Sequence, residues 1–233
     1  MIQAVLFDLY ETLITEWEMG KRKASYSVEP LGLEESVYKR GWHARVNDRM
    51  DGTYPDHPSV LREILKEAGL PIDEQAIQLI HNDRAFVKSV AFKHIDDTII
   101  GMLENLKAMN IKIGLISNCT SEEIGGWFNS VLPAYFDDVV FSYQVKERKP
   151  NQAIYLTACN NLNVNPKQCL FIGDGGSEEL KGASEVGMSP YQATWFLPSG
   201  VPNEISEFPK LRKPMEVIDV VRKEEESYGS QKR

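Results

Sequence analysis

Residues 2–7 are apolar but for Gln3, and the run stops abruptly at a carboxylate, Asp8, from which the chain turns through Leu9-Tyr10-Glu11-Thr12. A short run without polar alternation is the pattern of a strand buried on both faces, as in the middle of a parallel sheet. In open α/β sheets, ligands bind just beyond the carboxyl ends of such strands. A carboxylate at that edge is a candidate nucleophile or a candidate metal ligand. An Asp in a turn is also ordinary turn chemistry, so the other strand ends must decide between these readings.

After Ile14 the strand pattern ceases, and between about 15 and 90 the periodicity is helical throughout. One helix is expected over 36–50, a second from Pro58 to a stop at Gly69, and a third opened by Asp73 that carries Ile77, Ile80 and Val87. Helices without strands cannot extend a sheet, so this block is expected to be a separate unit inserted after the first strand. From Asp97 helix and strand alternate. Strands are expected over 111–116, 136–141, 168–172 and 188–194, and helices over 99–109, 152–162 and around Leu180. A further helix is expected from Thr120, where Thr120 and Glu123 have capping-box spacing. This βα rhythm with short connections predicts an α/β fold with a parallel, doubly wound sheet. The charged stretch 223–233 reads as a flexible tail.

Composition narrows the partners. A net charge of −8 with mixed signs argues against a nucleic-acid surface, which needs a basic stripe. Three cysteines without ligand-like spacing fit free thiols in a reducing compartment. The first strand starts at once, no signal peptide is evident, and no apolar run approaches the roughly 20 residues of a membrane helix. The expectation is a cytoplasmic protein that engages neither membrane nor nucleic acid; oligomeric state is not readable.

Four strand ends carry polar signatures: Asp8, Ser117-Asn118, Lys149-Pro150, and Asp174 with Glu178-Glu179. A parallel sheet brings all four to one edge. Carboxylates packed together raise one another's pKa unless a cation intervenes, and a hard-oxygen set of this kind suits Mg²⁺. Lys149 would keep Asp8 ionised, while Ser117 and nearby amides could hold an anionic oxygen. The set describes an aspartate attacking an electrophile that carries negative charge.

These segments resemble the motifs of the haloacid dehalogenase superfamily. The matches are Asp8-Leu9-Tyr10-Glu11-Thr12-Leu13, then Leu115-Ile116-Ser117-Asn118, then Lys149-Pro150 with Ile154-Tyr155. The fourth is Gly173-Asp174 with Glu178-Glu179-Leu180, Gly182-Ala183 and Gly187-Met188. The resemblance implies a Rossmann-like three-layer core over 1–14 and 94–222 and a helical cap domain over 15–93. It implies Asp8 as a nucleophile that forms an aspartyl intermediate, with Ser117, Asn118 and Lys149 as catalytic partners. Thr12, Ser117 and Asn118 would contact a small anionic substrate. Mg²⁺ would be held by Asp8, Asp174 and the backbone carbonyl of Tyr10. Dehalogenases of the superfamily also use a cap arginine, for which Arg40 is the leading candidate beside Arg45 and Arg49.

One position departs from the pattern. Phosphatases of the superfamily usually carry a second Asp two residues after the nucleophile, to protonate the leaving oxygen; here Tyr10 stands there, as in the dehalogenases, whose halide leaves without a proton. Asp174 points the other way, because those dehalogenases work without metal. Three readings follow: a Mg²⁺-dependent phosphatase favouring leaving groups of low pKa, a metal-independent 2-haloacid dehalogenase, and a non-catalytic binding member.

Overall fold

The computed structural model describes residues 1–197 and 205–231. The chain opens with β1 (Ala4–Phe7) and continues through a small ribbon, β2 (Trp17–Glu18) and β3 (Lys21–Arg22), into α1 (Glu35–Ala44), α2 (Val46–Met50), α3 (His57–Glu67) and α4 (Glu74–Val90). Then come α5 (Asp97–Ala108), β4 (Lys112–Ser117), β5 (Asp138–Phe141), α6 (Ser142–Val145), α7 (Gln152–Leu162) and β6 (Cys169–Gly173). The last elements are α8 (Glu179–Glu185), β7 (Ser189–Ala193), β8 (Lys210–Leu211) and α9 (Glu216–Gln231).

Six strands form one sheet in the order β5-β4-β1-β6-β7-β8, and every pairing in it is parallel. β1 lies between β4 and β6, with Phe7 in register with both Leu115 and Ile172. Its residues alternate between two apolar layers. Val5 and Phe7 pack with Ile99 and Leu103 of α5 and Val217 and Val221 of α9. Ala4 and Leu6 pack with Ile154 and Ala158 of α7 and Leu180 and Ala183 of α8. Burying a side chain such as Val5, Leu6 or Phe7 contributes about 1.5–3 kcal/mol. A one-residue slip would send each to the wrong layer, so the register that places Asp8 is strongly held.

Between β1 and α5 the insertion has its own apolar centre, with Tyr38 of α1, Val60, Leu61, Ile64 and Leu65 of α3, and Ile77 and Ile80 of α4. Asp56 caps α3 by accepting from the Ser59 amide, and Gly69 follows the helix at φ +67°. Asp73 caps α4 through the amides of Gln75 and Ala76. The single helix expected over 36–50 is two helices that meet at Arg45, whose φ of −106° and ψ of 15° break the run. There the Arg45 side chain turns back to the Gly41 carbonyl at 2.9 Å and pairs with Glu67. The ribbon was not expected at all; its strands are exposed and two residues long, and its turn is made by Met19 and Gly20 at positive φ.

Two further expectations change. The helix anticipated from Thr120 is only a three-residue 3-10 turn, Ser121–Glu123, and Gly125-Gly126 follows. The tail anticipated over 223–233 is helical as far as Gln231, because α9 is anchored by the buried Val217, Ile218 and Val221 and continues in helix-favouring Lys and Glu; 232–233 lie outside the described residues. Among the described residues, no helix is long and apolar enough to cross a membrane.

Candidate active site

Asp8 follows β1 directly, and its amide extends the ladder to the Ile172 carbonyl at 2.9 Å. Only 7% of the residue is exposed. Across the sheet edge, Asn118 clamps the backbone of Lys149: its amide nitrogen donates to the Lys149 carbonyl at 3.0 Å, and its oxygen accepts from the Lys149 amide at 2.8 Å. So fixed, Lys149 reaches inward and donates to Asp8 Oδ1 and, at 2.5 Å, to Glu179 Oε2. The other Glu179 oxygen accepts from the Gly175 amide at 3.0 Å, and the Glu179 carbonyl takes the Tyr155 hydroxyl at 2.8 Å. Gly173 is required beside it, since a Cβ there would collide with Glu179 Oε1. Asp174, half-buried, accepts from the Gly176 amide at 2.9 Å, and Gln192 holds its carbonyl at the same distance.

Carboxylate oxygens of Asp8, Asp174 and Glu179 lie within 4.8 Å of one another. Burial, reinforced by Asp174, pushes the Asp8 carboxyl above its ordinary value despite Lys149. Glu179 rises further, from burial first and then from Asp8. Burial works against the charge on Lys149 too, but Asp8 and Glu179 outweigh it and hold the ammonium above its ordinary pKa. Three carboxylates facing one ammonium leave two negative charges uncompensated. A hard, all-oxygen donor set with that charge excess fits a divalent cation of the Mg²⁺ type. Beside it, the hydroxyls of Thr12 and Ser117 are buried with no hydrogen-bond partner. Orphaned buried donors in a native fold call for a bound group, and two of them here suit an oxyanion.

The structure thus gathers Asp8, Asn118, Lys149 and Asp174 at one edge, with Thr12 and Ser117 on the adjoining loop and strand end. Glu179, not Glu178, completes the group: Glu178 is exposed, and positive φ at Gly175, Ser177 and Glu178 turns the chain so that Glu179 faces inward. Tyr10 is placed differently. Its hydroxyl donates to the Glu123 carbonyl at 2.6 Å, and its ring lies between Phe92 and the Lys88 ammonium. Only its backbone is left for a cation. Glu11 stands at φ 57° and closes its own turn, accepting from the Thr15 hydroxyl at 2.5 Å and the Glu16 amide at 2.9 Å.

Arg40 is not brought to this group. It is exposed, in a depression lined solely by residues of the insertion. The arginine that meets the core is Arg84 of α4, buried and paired to Glu122 at 2.9 Å and Glu123 at 2.6 Å. Lys88, one turn on, pairs with Glu16 at 2.9 Å and Glu123 at 3.4 Å. A signal for Arg84 was present: it falls on the same face of α4 as Ala76, Ile77 and Ile80, where a charge must find a buried partner.

The profile of the haloacid dehalogenase-like hydrolase family matches residues 2–187. The glyceraldehyde 3-phosphate phosphatase of Methanopyrus kandleri is 23% identical over 95% of this chain and 98% of its own. Among solved structures, the 2-haloacid dehalogenase of Pseudomonas syringae pv. tomato superposes with a TM-score of 0.68 at 19% identity, covering 96% of this chain and 99% of its own. A family enzyme of Bacteroides thetaiotaomicron, crystallised with magnesium and inorganic phosphate, gives 0.55 at 20% identity over 89% and 98%. At these identities the two structures establish the shared fold.

Proposed function

Because the chain belongs to the haloacid dehalogenase-like hydrolase family, we propose that it is a Mg²⁺-dependent phosphatase of small phosphorylated metabolites, with Asp8 as nucleophile and the helical insertion as a cap. The observation that carries this reading is the convergence of Asp8, Asp174 and Glu179 around one lysine, a charge excess that a metal-free dehalogenase has no use for. The glyceraldehyde 3-phosphate phosphatase relative supports the substrate class.

In this reading Thr12 and Ser117 donate their unpaired hydroxyls to the phosphoryl oxygens, orienting phosphorus toward Asp8. An Asp8 oxygen forms a bond to phosphorus as the ester P–O bond breaks, giving an aspartyl phosphate and the free leaving group. Water then adds to phosphorus, releasing phosphate and restoring the carboxylate. Lys149 keeps Asp8 ionised for the attack and screens it from Glu179; Asn118 positions Lys149. When bound, Mg²⁺ supplies positive charge against the phosphoryl oxygens, and Asp8, Asp174 and the Tyr10 carbonyl would hold it, with Glu179 behind them. The Tyr10 hydroxyl is committed to the Glu123 carbonyl, so an alkoxide would leave poorly and aryl or acyl phosphates would turn over faster.

Tyr10 also favours a second reading, the 2-haloacid dehalogenase, whose halide needs no acid. A panel of phosphate esters and 2-chloropropionate, each assayed with Mg²⁺ and with a chelator, separates the two. Phosphate release that disappears on chelation and in Asp8→Asn is the expected result. Chloride release that survives the chelator overturns the phosphatase, equal rates on alkyl and aryl esters overturn the leaving-group bias, and silence across the panel leaves a binding member.

A further inference from the structure

Gln192, near the end of β7, is a primary amide that is 0% exposed. It stands in register with Gly173, the residue before Asp174, so the two share one face of the sheet. An amide removed from water is costly unless its polar atoms are bonded, and an apolar side chain would fill the same position at no such cost. The groups that hold this amide lie on either side of it. Its Nε2 donates to the Asp174 carbonyl at 2.9 Å, and its Oε1 accepts from the Ile205 amide at 2.8 Å.

The Asp174 carbonyl and the Gly175 N–H belong to one planar peptide unit and point in opposite directions. Gln192 holds that plane on its carbonyl side, and Glu179 Oε1 holds it on its N–H side at 3.0 Å. Turning the plane over would break both bonds and set the carbonyl oxygen against the Glu179 carboxylate. Two carboxylates of the cluster therefore depend on this peptide. Asp174 is part of it, and Glu179, steadied by its N–H, presents its second oxygen to Lys149 at 2.5 Å. Space around the turn is set as closely. Gly175 stands at φ +100°, and a Cβ there would lie 2.4 Å from Cδ1 of Ile205, the residue whose amide anchors Gln192.

Given the Mg²⁺ reading of the Asp8 centre, on which this rests, we propose that Gln192 is a positioning residue for the cation. By fixing the Asp174–Gly175 peptide against Glu179 it sets the direction of both carboxylates, and it acts on Mg²⁺ only through them.

Calorimetric titration of the full, substrate-free chain with Mg²⁺ tests this, paired with urea unfolding in Mg²⁺ and in chelator. The expected result is Mg²⁺ binding that is lost in Asp174→Asn and weakened about tenfold or more in Gln192→Met, the usual consequence of removing a group that orients metal ligands. The rise in urea midpoint that Mg²⁺ confers should shrink with the affinity. A purely structural Gln192 would instead lower the midpoint equally with Mg²⁺ and with chelator and leave the affinity unchanged. Should Gln192→Met not fold, Gln192→Asn keeps an amide but withdraws it from the Asp174 carbonyl by one methylene, and must still bind Mg²⁺ more weakly. Affinity unchanged in the Gln192 variants, beside a loss in Asp174→Asn, overturns this role alone; no Mg²⁺ binding by the wild type overturns it together with the Mg²⁺ reading.

Discussion

Lys149 is the side chain on which the electrostatics of the carboxylate cluster depend. It donates to both Asp8 and Glu179 and is itself 1% exposed. In Lys149→Met the two carboxylates keep their burial and lose their counter-charge. Without added divalent cation the variant should be destabilised by about 3–5 kcal/mol, the usual consequence of breaking a buried pair from one side, as read by urea unfolding. If Asp8 acts as proposed, turnover should fall with it, since a carboxyl raised further becomes protonated and is no longer a nucleophile. Tyr10 yields a contrasting expectation. Tyr10→Phe removes one neutral hydrogen bond, to the Glu123 carbonyl, and should cost about 1 kcal/mol of stability. Because that proton is already committed, kcat should drop by less than about tenfold; a general acid is typically worth about 10²–10⁴, so a loss of that size would make Tyr10 the acid after all.

Among the elements, α4 ties the insertion to the core. Burial alone would raise the Glu123 carboxyl, but Lys88 and Arg84 more than reverse it and hold it down at about 2. Arg84→Met strands Glu122 in the interior, leaves Glu123 to Lys88 alone, and should cost about 3–5 kcal/mol in denaturant unfolding; Arg40→Ala, on the exposed outer side, should stay within about 0.5 kcal/mol of wild type. This junction was also the least legible part of the sequence. β1, β4, β6, α3, α4 and α7 were readable because each is specified locally, by an apolar period and by caps such as Asp56 and Asp73. So was the group of strand ends, since any parallel sheet brings Asp8, Ser117, Lys149 and Asp174 to one edge. What failed was set by partners distant in the chain. Thr120 and Glu123 do meet, the Thr120 amide donating to Glu123 Oε2 at 3.0 Å. No helix follows, because Arg84 holds that carboxylate from the insertion and Gly126 makes room for the Phe92 ring. Choosing between Glu178 and Glu179, or between Arg40 and Arg84, likewise required the turn geometry and the docked α4.

The stability of the whole chain should carry the mark of His57. It is 1% exposed, neither ring nitrogen has a hydrogen-bond partner, and burial, helped by Arg84 and His81, lowers its pKa to about 2. The folded protein keeps it neutral while the unfolded chain takes up a proton near pH 6.5. Its contribution is therefore complete above that pH and is lost as pH falls, at about 1.4 kcal/mol per unit. Urea midpoints between pH 7 and 5 should decline less steeply in His57→Leu than in wild type; parallel curves would show that the ring is protonated inside the fold. The place of β1 in the sheet has a consequence for synthesis. Its hydrogen-bonding neighbours begin at Lys112 and Cys169, so the strand is translated long before either flank exists. A growing chain carries Asp8 early, as a common water-exposed carboxylate on an unpaired segment. It becomes a buried, lysine-held group only after Glu179 has left the ribosome. A chain that terminates at Leu162 would contain Asp8, Ser117 and Lys149 but neither Asp174 nor Glu179, so under the proposed function incomplete translation products should be inert, not partly active.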